Sequence, residues 1–276
     1  MTETERCPVQ ENFQQGDLLR IVGEENTSVN HGMGVIINAD CDLAHSKHDG
    51  VIAYLPLFTL QEYLKLFWLP QFFQSERNVA WNGLCTLCDD EHSEWQEVEE
   101  WLHTESVEDI ALALAKSKKL SNKQLEAIRQ HLCRIKICSC GEKEGFSSLN
   151  EISELEKRPK SYLEKKVNNA LKQMGDGHFL INEIYGELDI GFVIRMRRIH
   201  SIDAQCCFKS MSEFRSSSSD DRNCAYRIAR LIPPFRYRVA QLFAHQFSRI
   251  GLPDEVTALN SLAVDDVVET IRVMGQ

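Results

Sequence analysis

The sequence predicts an α+β protein: a small β-barrel module built from both ends of the chain, a helical insertion, and helices at the C-terminal end. Three observations predict it. Short runs rich in Val and Ile, punctuated by Gly and Asn, occupy residues 13–57 and return over 178–208. Between them, over 58–177, apolar residues recur at helical spacing. The third segment, 222–276, is assigned to helices because Pro233-Pro234 opens an amphipathic stretch that Gly251 and Pro253 close.

Taken in order, Leu18 to Val22 is an apolar run entered through Gly16-Asp17. Gly34 to Leu43 is a second run, ending in acids, and Gly50 to Leu57 a third. Three such strands suggest a barrel or curled sheet, since a lone hairpin is marginally stable. The helical pattern starts with Leu60, Tyr63, Leu64, Phe67 and Trp68. It continues through Glu97–Ala115 and Ser121–Ile135, and again from about Ser161 to the Gly175-Asp176-Gly177 stop. Strands resume at 178–184 and 191–202, where alternation places Arg195 and Arg197 on one face. Ser216 to Asp221 is a polar loop. Phe235, Val239, Leu242, Phe243 and Phe247 mark the buried side of the Pro-initiated helix, and Asp254 is placed to cap a last one.

Composition narrows the function classes. The 276 residues are 43% hydrophobic and 26% charged, as in ordinary globular proteins, which excludes a collagen, a rod or a largely disordered chain. No apolar run reaches the ~18 residues of a spanning helix. Met1 to Cys7 is acidic and polar, unlike an export leader. The expected compartment is therefore cytoplasmic, with the ten cysteines reduced or bound to metal. A net charge of −10 argues against a protein that binds polyanions over its whole surface.

Gly16-Asp17-Leu18, Gly34-Val35-Ile36-Ile37-Asn38 and the return strand ending Leu55-Pro56 resemble the PemK/MazF family of small barrels, over about the first fifth of the chain. The resemblance implies an SH3-like barrel and, as an activity, cleavage of single-stranded RNA. The chain departs from the family where an arginine would fall near Met33: none lies between Arg20 and Arg77. Without a cation to polarise phosphate, the fold is expected without the activity. Asp40-Cys41-Asp42-Leu43, and the segments from Arg227 to Leu231 and from Arg249 to Pro253, are similar to uncharacterised bacterial and phage proteins, which implies a bacterial, defence-associated setting.

Three constellations carry candidate chemistry. Cys85 and Cys88 form a CxxC, and Cys138 and Cys140 a CxC followed by Gly141, with 49 residues between the pairs. Four thiolates suit a structural Zn²⁺, with His92, His131 and Cys133 as alternative ligands. The second constellation is Asp40, Cys41 and Asp42 with His45, His48 and Asp49, a candidate catalytic tip at a strand end. The flanking carboxylates oppose a low-pKa thiol there.

The third constellation is charge. Asp89–Asp109 holds ten acids and no Lys or Arg, whereas Arg195–Arg249 holds eleven basic residues against four acids. Arg238, Gln241, His245 and Arg249 share one helix face, a candidate partner-binding stripe. The function expected is an interaction or regulatory component of a bacterial toxin or defence system. Its partner would be a protein, or nucleic acid through the basic C-terminal face. The alternative is an endoribonuclease-like toxin acting on single-stranded RNA. No P-loop, HExxH or GxSxG motif points to other catalysis.

Overall fold

Glycine, proline and a buried aspartate organise the sheet. The computed structural model describes residues 2–23, 32–88, 95–217 and 223–247, together with residue 262. In chain order, β1 (Thr4–Glu5), β2 (Asp17–Val22) and β3 (Met33–Ile36) lead to a short helix, α1 (Asp40–Ala44), and then to β4 (Val51–Thr59). The sequence reading ran β3 on to Leu43. Instead the strand stops at Ile36, and the acids at Asp40 and Asp42 open a helical turn, where the dipole favours them.

At Thr59 a capping box starts the insertion: its hydroxyl accepts from the Glu62 amide at 3.1 Å, and the Glu62 carboxylate accepts from the Thr59 amide at 2.8 Å. The chain then runs without a break through α2 (Leu60–Tyr63), a π-helical turn (Leu64–Trp68) and α3 (Leu69–Cys88). The remaining insertion helices are α4 (Trp95–Thr104), α5 (Val107–Lys118), α6 (Asn122–Glu144), α7 (Phe146–Glu154) and α8 (Pro159–Gln173). Helices α3 and α6 pack antiparallel. The Arg134–Glu76 pair at 3.0 Å sets their register, and the His131 ring lies so close to Gly83 that a Cβ there would sit 2.4 Å from it. Ala80, Leu84, Ile110, Ile128, Leu132 and Ile135 fill one insertion core, and Phe72, Phe73, Leu149 and Ile152 another. No helix of the described residues is long and apolar enough to cross a membrane.

The sheet resumes with β5 (His178–Ile181), β6 (Phe192–Arg195), β7 (His200–Asp203) and β8 (Cys207–Phe208). A short α9 (Met211–Ser216), then β9 (Cys224–Leu231) and α10 (Pro233–Phe247) follow. The order is β1-β9-β2-β3-β4-β6-β5, with β7 also on β4 and β8 on β9. All pairings are antiparallel except β8 with β9. One edge of β4 is shared: Val51–Tyr54 pair with β7, and Leu57–Thr59 with β6. Pro56 falls in the gap between them, where its missing N–H leaves no ladder bond unmade.

The sheet curls into a half-barrel. Its two ends are bridged by side chains: the Glu3 carboxylate accepts from the backbone and side-chain amides of Asn182, just beyond β5, and Thr4 Oγ1 accepts from the Tyr185 amide at 2.8 Å. Leu18, Val35, Leu55, Leu57, Phe192, Ile194 and Leu231 fill the concave core, onto which α10 lays Val239, Phe235 and Leu242. The convex side carries Leu19, Ile36, Ile52, Tyr54 and Ile202.

Strand β9 corrects the assignment of 222–276 to helices. It pairs with β2 along its whole length and is buried, yet it carries two arginines. Asp17, fully buried, accepts from Arg227 at 3.1 Å and from Arg230 Nε, while Arg227 also donates to the Pro8, Glu11 and Asn12 carbonyls. Removing that carboxylate would leave Arg227 buried without a counter-ion and Arg230 with Glu11 alone, a loss of roughly 3–5 kcal/mol. The last predicted helix, from Asp254, lies outside the described residues.

Candidate anion-binding site

Cross-strand register and the π-helical turn together build a cluster of cations on the convex face, beside the start of the insertion. Ile194 and Phe192 point into the concave core, so the period of two sends Val193 and Arg195 outward. His178 is the register partner of Arg195 and shares that face. Over both lies the segment that the π turn offers. Tyr63, at its N-terminal edge, places its hydroxyl 3.1 Å from His178 Nε2. Phe67, within the turn, places its ring 4.0 Å from the Arg195 guanidinium carbon. Such turns are frequent at functional sites because the extra residue re-aims side chains.

Arg195 stops β6, and the chain turns through residues 196–199 before β7. Arg197 therefore does not continue a strand alternation. It lies against Gly177, where a Cβ would sit 3.0 Å from its Nε, and donates to Gln246 Oε1 of α10 at 3.2 Å. His200 begins β7 and stacks on Tyr54 with centroids 5.7 Å apart. The Tyr54 ring in turn covers Gly34, whose missing side chain makes the space.

The electrostatics are one-signed. Among the described residues no carboxylate forms an ion pair with Arg195, Arg197 or Arg198. Burial holds the His178 pKa below the usual imidazole value, and Arg195 and Arg197 push it further down. His200 is lowered by burial and by Arg198 and Arg195. Even Arg195 is lowered, by burial first, with Tyr63 acting against that and Arg198 with it. A partly buried guanidinium stacked on an aromatic face, with its in-plane N–H groups unclaimed among the described residues, is poised for an oxyanion.

The residues singled out in the sequence fall as follows. Cys85 and Cys88 occupy the last turn of α3, and Cys88 packs with Val98 and Leu102. Cys138 packs with Phe72 and Phe73, near the other end of α3, and burial pushes its thiol up to about 12. Phe73 to Cys88 spans 15 helical residues, roughly 22 Å, so the structure does not bring the two pairs together. Of Cys140 only its place in α6 is described, and His92 lies outside the described residues. His131 packs on Gly83, and Cys133 is half-buried. Among the described residues no three His, Cys, Asp or Glu side chains are grouped to hold a metal ion.

Asp40, Cys41 and Asp42 sit together in α1, with Asp40 and Cys41 exposed. Asp40 accepts from the Gln15 amide at 2.8 Å and lies 3.6 Å from Arg236, while the Cys41 thiol donates to Asp42 Oδ1 at 3.5 Å. Arg238, Gln241 and His245 share the exposed side of α10, with Arg238 donating to Gln241 at 3.0 Å. Arg249 lies outside the described residues.

Sequence reasoning found Arg195 and Arg197 but not Tyr63 or His178, which join them only through the β5–β6 register and the π turn. The eleven-to-four excess of basic residues also shrinks, because Arg227 and Arg230 are consumed by Asp17. No protein-family model, curated protein or solved structure matches this chain.

Proposed function

We propose that the protein is a non-catalytic nucleic-acid-binding component, in the bacterial defence setting that its sequence resemblances imply, and that its curled sheet is an SH3-like barrel. The site on the convex face grips the phosphodiester backbone. The observation that carries this reading is the partly buried Arg195 guanidinium, set among His178, Arg197, Arg198 and His200 with no carboxylate pairing to its three arginines, in a chain of net charge −10. An unpaired, partly desolvated cation costs stability, and an anionic ligand offsets that cost. Arg197 reaches α10 through Gln246, and Arg238 on the exposed side of that helix is a further candidate phosphate contact.

The test is fluorescence anisotropy with labelled 20-mers of single-stranded RNA, single-stranded DNA and duplex DNA across a salt series. Binding should weaken with salt. Arg195→Gln should lower affinity about tenfold and flatten the log–log slope by ~0.7–0.9, the share of one phosphate contact. The RNA should be recovered intact. Equal binding by wild type and Arg195→Gln, or no binding of any 20-mer at low salt, overturns the proposal.

A further inference from the structure

Residues 182–191 join β5 to β6, and the base of that loop is fixed from several sides. Glu3 holds Asn182, Thr4 Oγ1 donates to the Glu183 carbonyl at 3.4 Å, and Arg20 pairs with Glu187 at 2.5 Å. Ile184 turns inward and is buried in the concave core. The tip does the opposite: Leu188 is 100% exposed and Ile190 84%. A single exposed aliphatic side chain is ordinary, but two at alternate positions on an anchored loop make an apolar tip that gains free energy when covered. Asp189 lies between them and Glu183 near the loop's start. Both are exposed, and among the described residues neither forms an ion pair. The tip is apolar and acidic.

A surface of the opposite charge lies on the same chain. In the insertion a recess of about 580 Å³ opens where α6 faces the link from α7 into α8. Leu155 and the Tyr162 ring give it an apolar wall, and the exposed Lys157, Arg158 and Lys165 form its rim. Among the described residues none of those three cations forms an ion pair, and Glu156, the acid in the lining, is taken by Arg134. Its volume is of the class that accepts a small ligand, and so the tip of a loop.

We propose that the 182–191 loop of one copy of this chain docks in the insertion recess of a second copy. Leu188 and Ile190 meet Leu155 and the Tyr162 ring, while Asp189 and Glu183 face Lys157, Arg158 and Lys165. Charge complementarity selects a second copy as the occupant, because the apolar, acidic tip and the basic recess belong to one sequence. The two patches differ, so the contact is head-to-tail. A loop tip in a recess buries less than the ~1,200 Å² of stable complexes, and the association is accordingly transient, with Kd of about 10–100 µM.

The experiment is sedimentation velocity on the full chain from about 5 to 300 µM, a range that brackets such a Kd. Wild type should grow reversibly beyond the monomer, and its Kd should weaken at least about tenfold between roughly 50 and 500 mM NaCl as the charge pairs are screened. Leu188→Ser with Ile190→Ser, and separately Lys157→Glu with Lys165→Glu, should each keep the wild-type Tm, since all four side chains are exposed, and each should stay monomeric. Mixing the two double variants should restore association as a one-to-one pair, because the first retains a native recess and the second a native tip. Arg195→Gln should associate as wild type does, which separates this contact from the anion site on the sheet. The proposal is overturned if wild type is monomeric at about 300 µM, which would assign the tip to a different protein. It is overturned equally if either double variant associates as wild type does, or if their mixture stays monomeric.

Discussion

At the scale of single residues, His178 and His200 make the anion site answer to pH. Both have pKa values lowered by burial and by neighbouring arginines. A bound phosphate reverses the arginine contribution, so binding takes up protons and affinity rises as pH falls from 7.5 to 5.5, by about tenfold for each histidine whose pKa rises one unit. Without ligand the sign is opposite. Above the unfolded pKa of about 6.5 both states are neutral and pH has no effect through these groups. Below it the unfolded chain binds the proton first, so stability falls with pH until the folded pKa is passed. Anisotropy and thermal melts at three pH values check both signs. Affinity that is flat with pH, or that still rises in His178→Gln with His200→Gln, would discard the histidines as part of the site.

At the scale of elements, the π turn holds the site without supplying its charge. Leu66 in that turn is 45% exposed and makes no part of a core. Deleting it lets the helix close as ordinary α, because α3 keeps its register through its packing on α6. Phe67 is then withdrawn from Arg195. We expect helical content and cooperative melting to be retained while nucleic-acid affinity drops to the level of Arg195→Gln; wild-type affinity in the deletion would show that the turn is incidental.

Much of this level was legible in the sequence. The insertion helices followed from apolar spacing, and β2, β4, β5 and β6 from their Val- and Ile-rich runs. Strand β9 was not legible, because Arg227 and Arg230 make a buried strand look polar until Asp17 is seen to pair with both. Where the cysteine pairs fall was not legible either: spacing along the chain does not show that α3 and α6 run antiparallel, with Cys85 and Cys88 at one end of α3 and Cys138 packed near the other. Tyr63 and His178 are 115 residues apart and meet only through register and a helix irregularity that no local pattern announces.

At the scale of the whole molecule, the placement of β9 dictates an order of assembly. The strand enters between β1 and β2, so the β1 side of the sheet is completed only after the insertion and the later strands have been synthesised. On the ribosome β2, β3 and β4 emerge first, and the free edge of β2 must wait about two hundred residues for β9, while the insertion helices, whose contacts are local, are free to form in the meantime. A fragment ending at residue 217 reproduces that waiting state. It should keep the far-ultraviolet helix signal of the insertion while amides in β2–β4 exchange with solvent unprotected; protection in those strands would mean that the sheet nucleates without β9. The nascent chain therefore carries an open strand edge for most of its synthesis. A chaperone that shields that edge, or slow translation beyond residue 217, would change the yield of this protein more than most substitutions in its finished core.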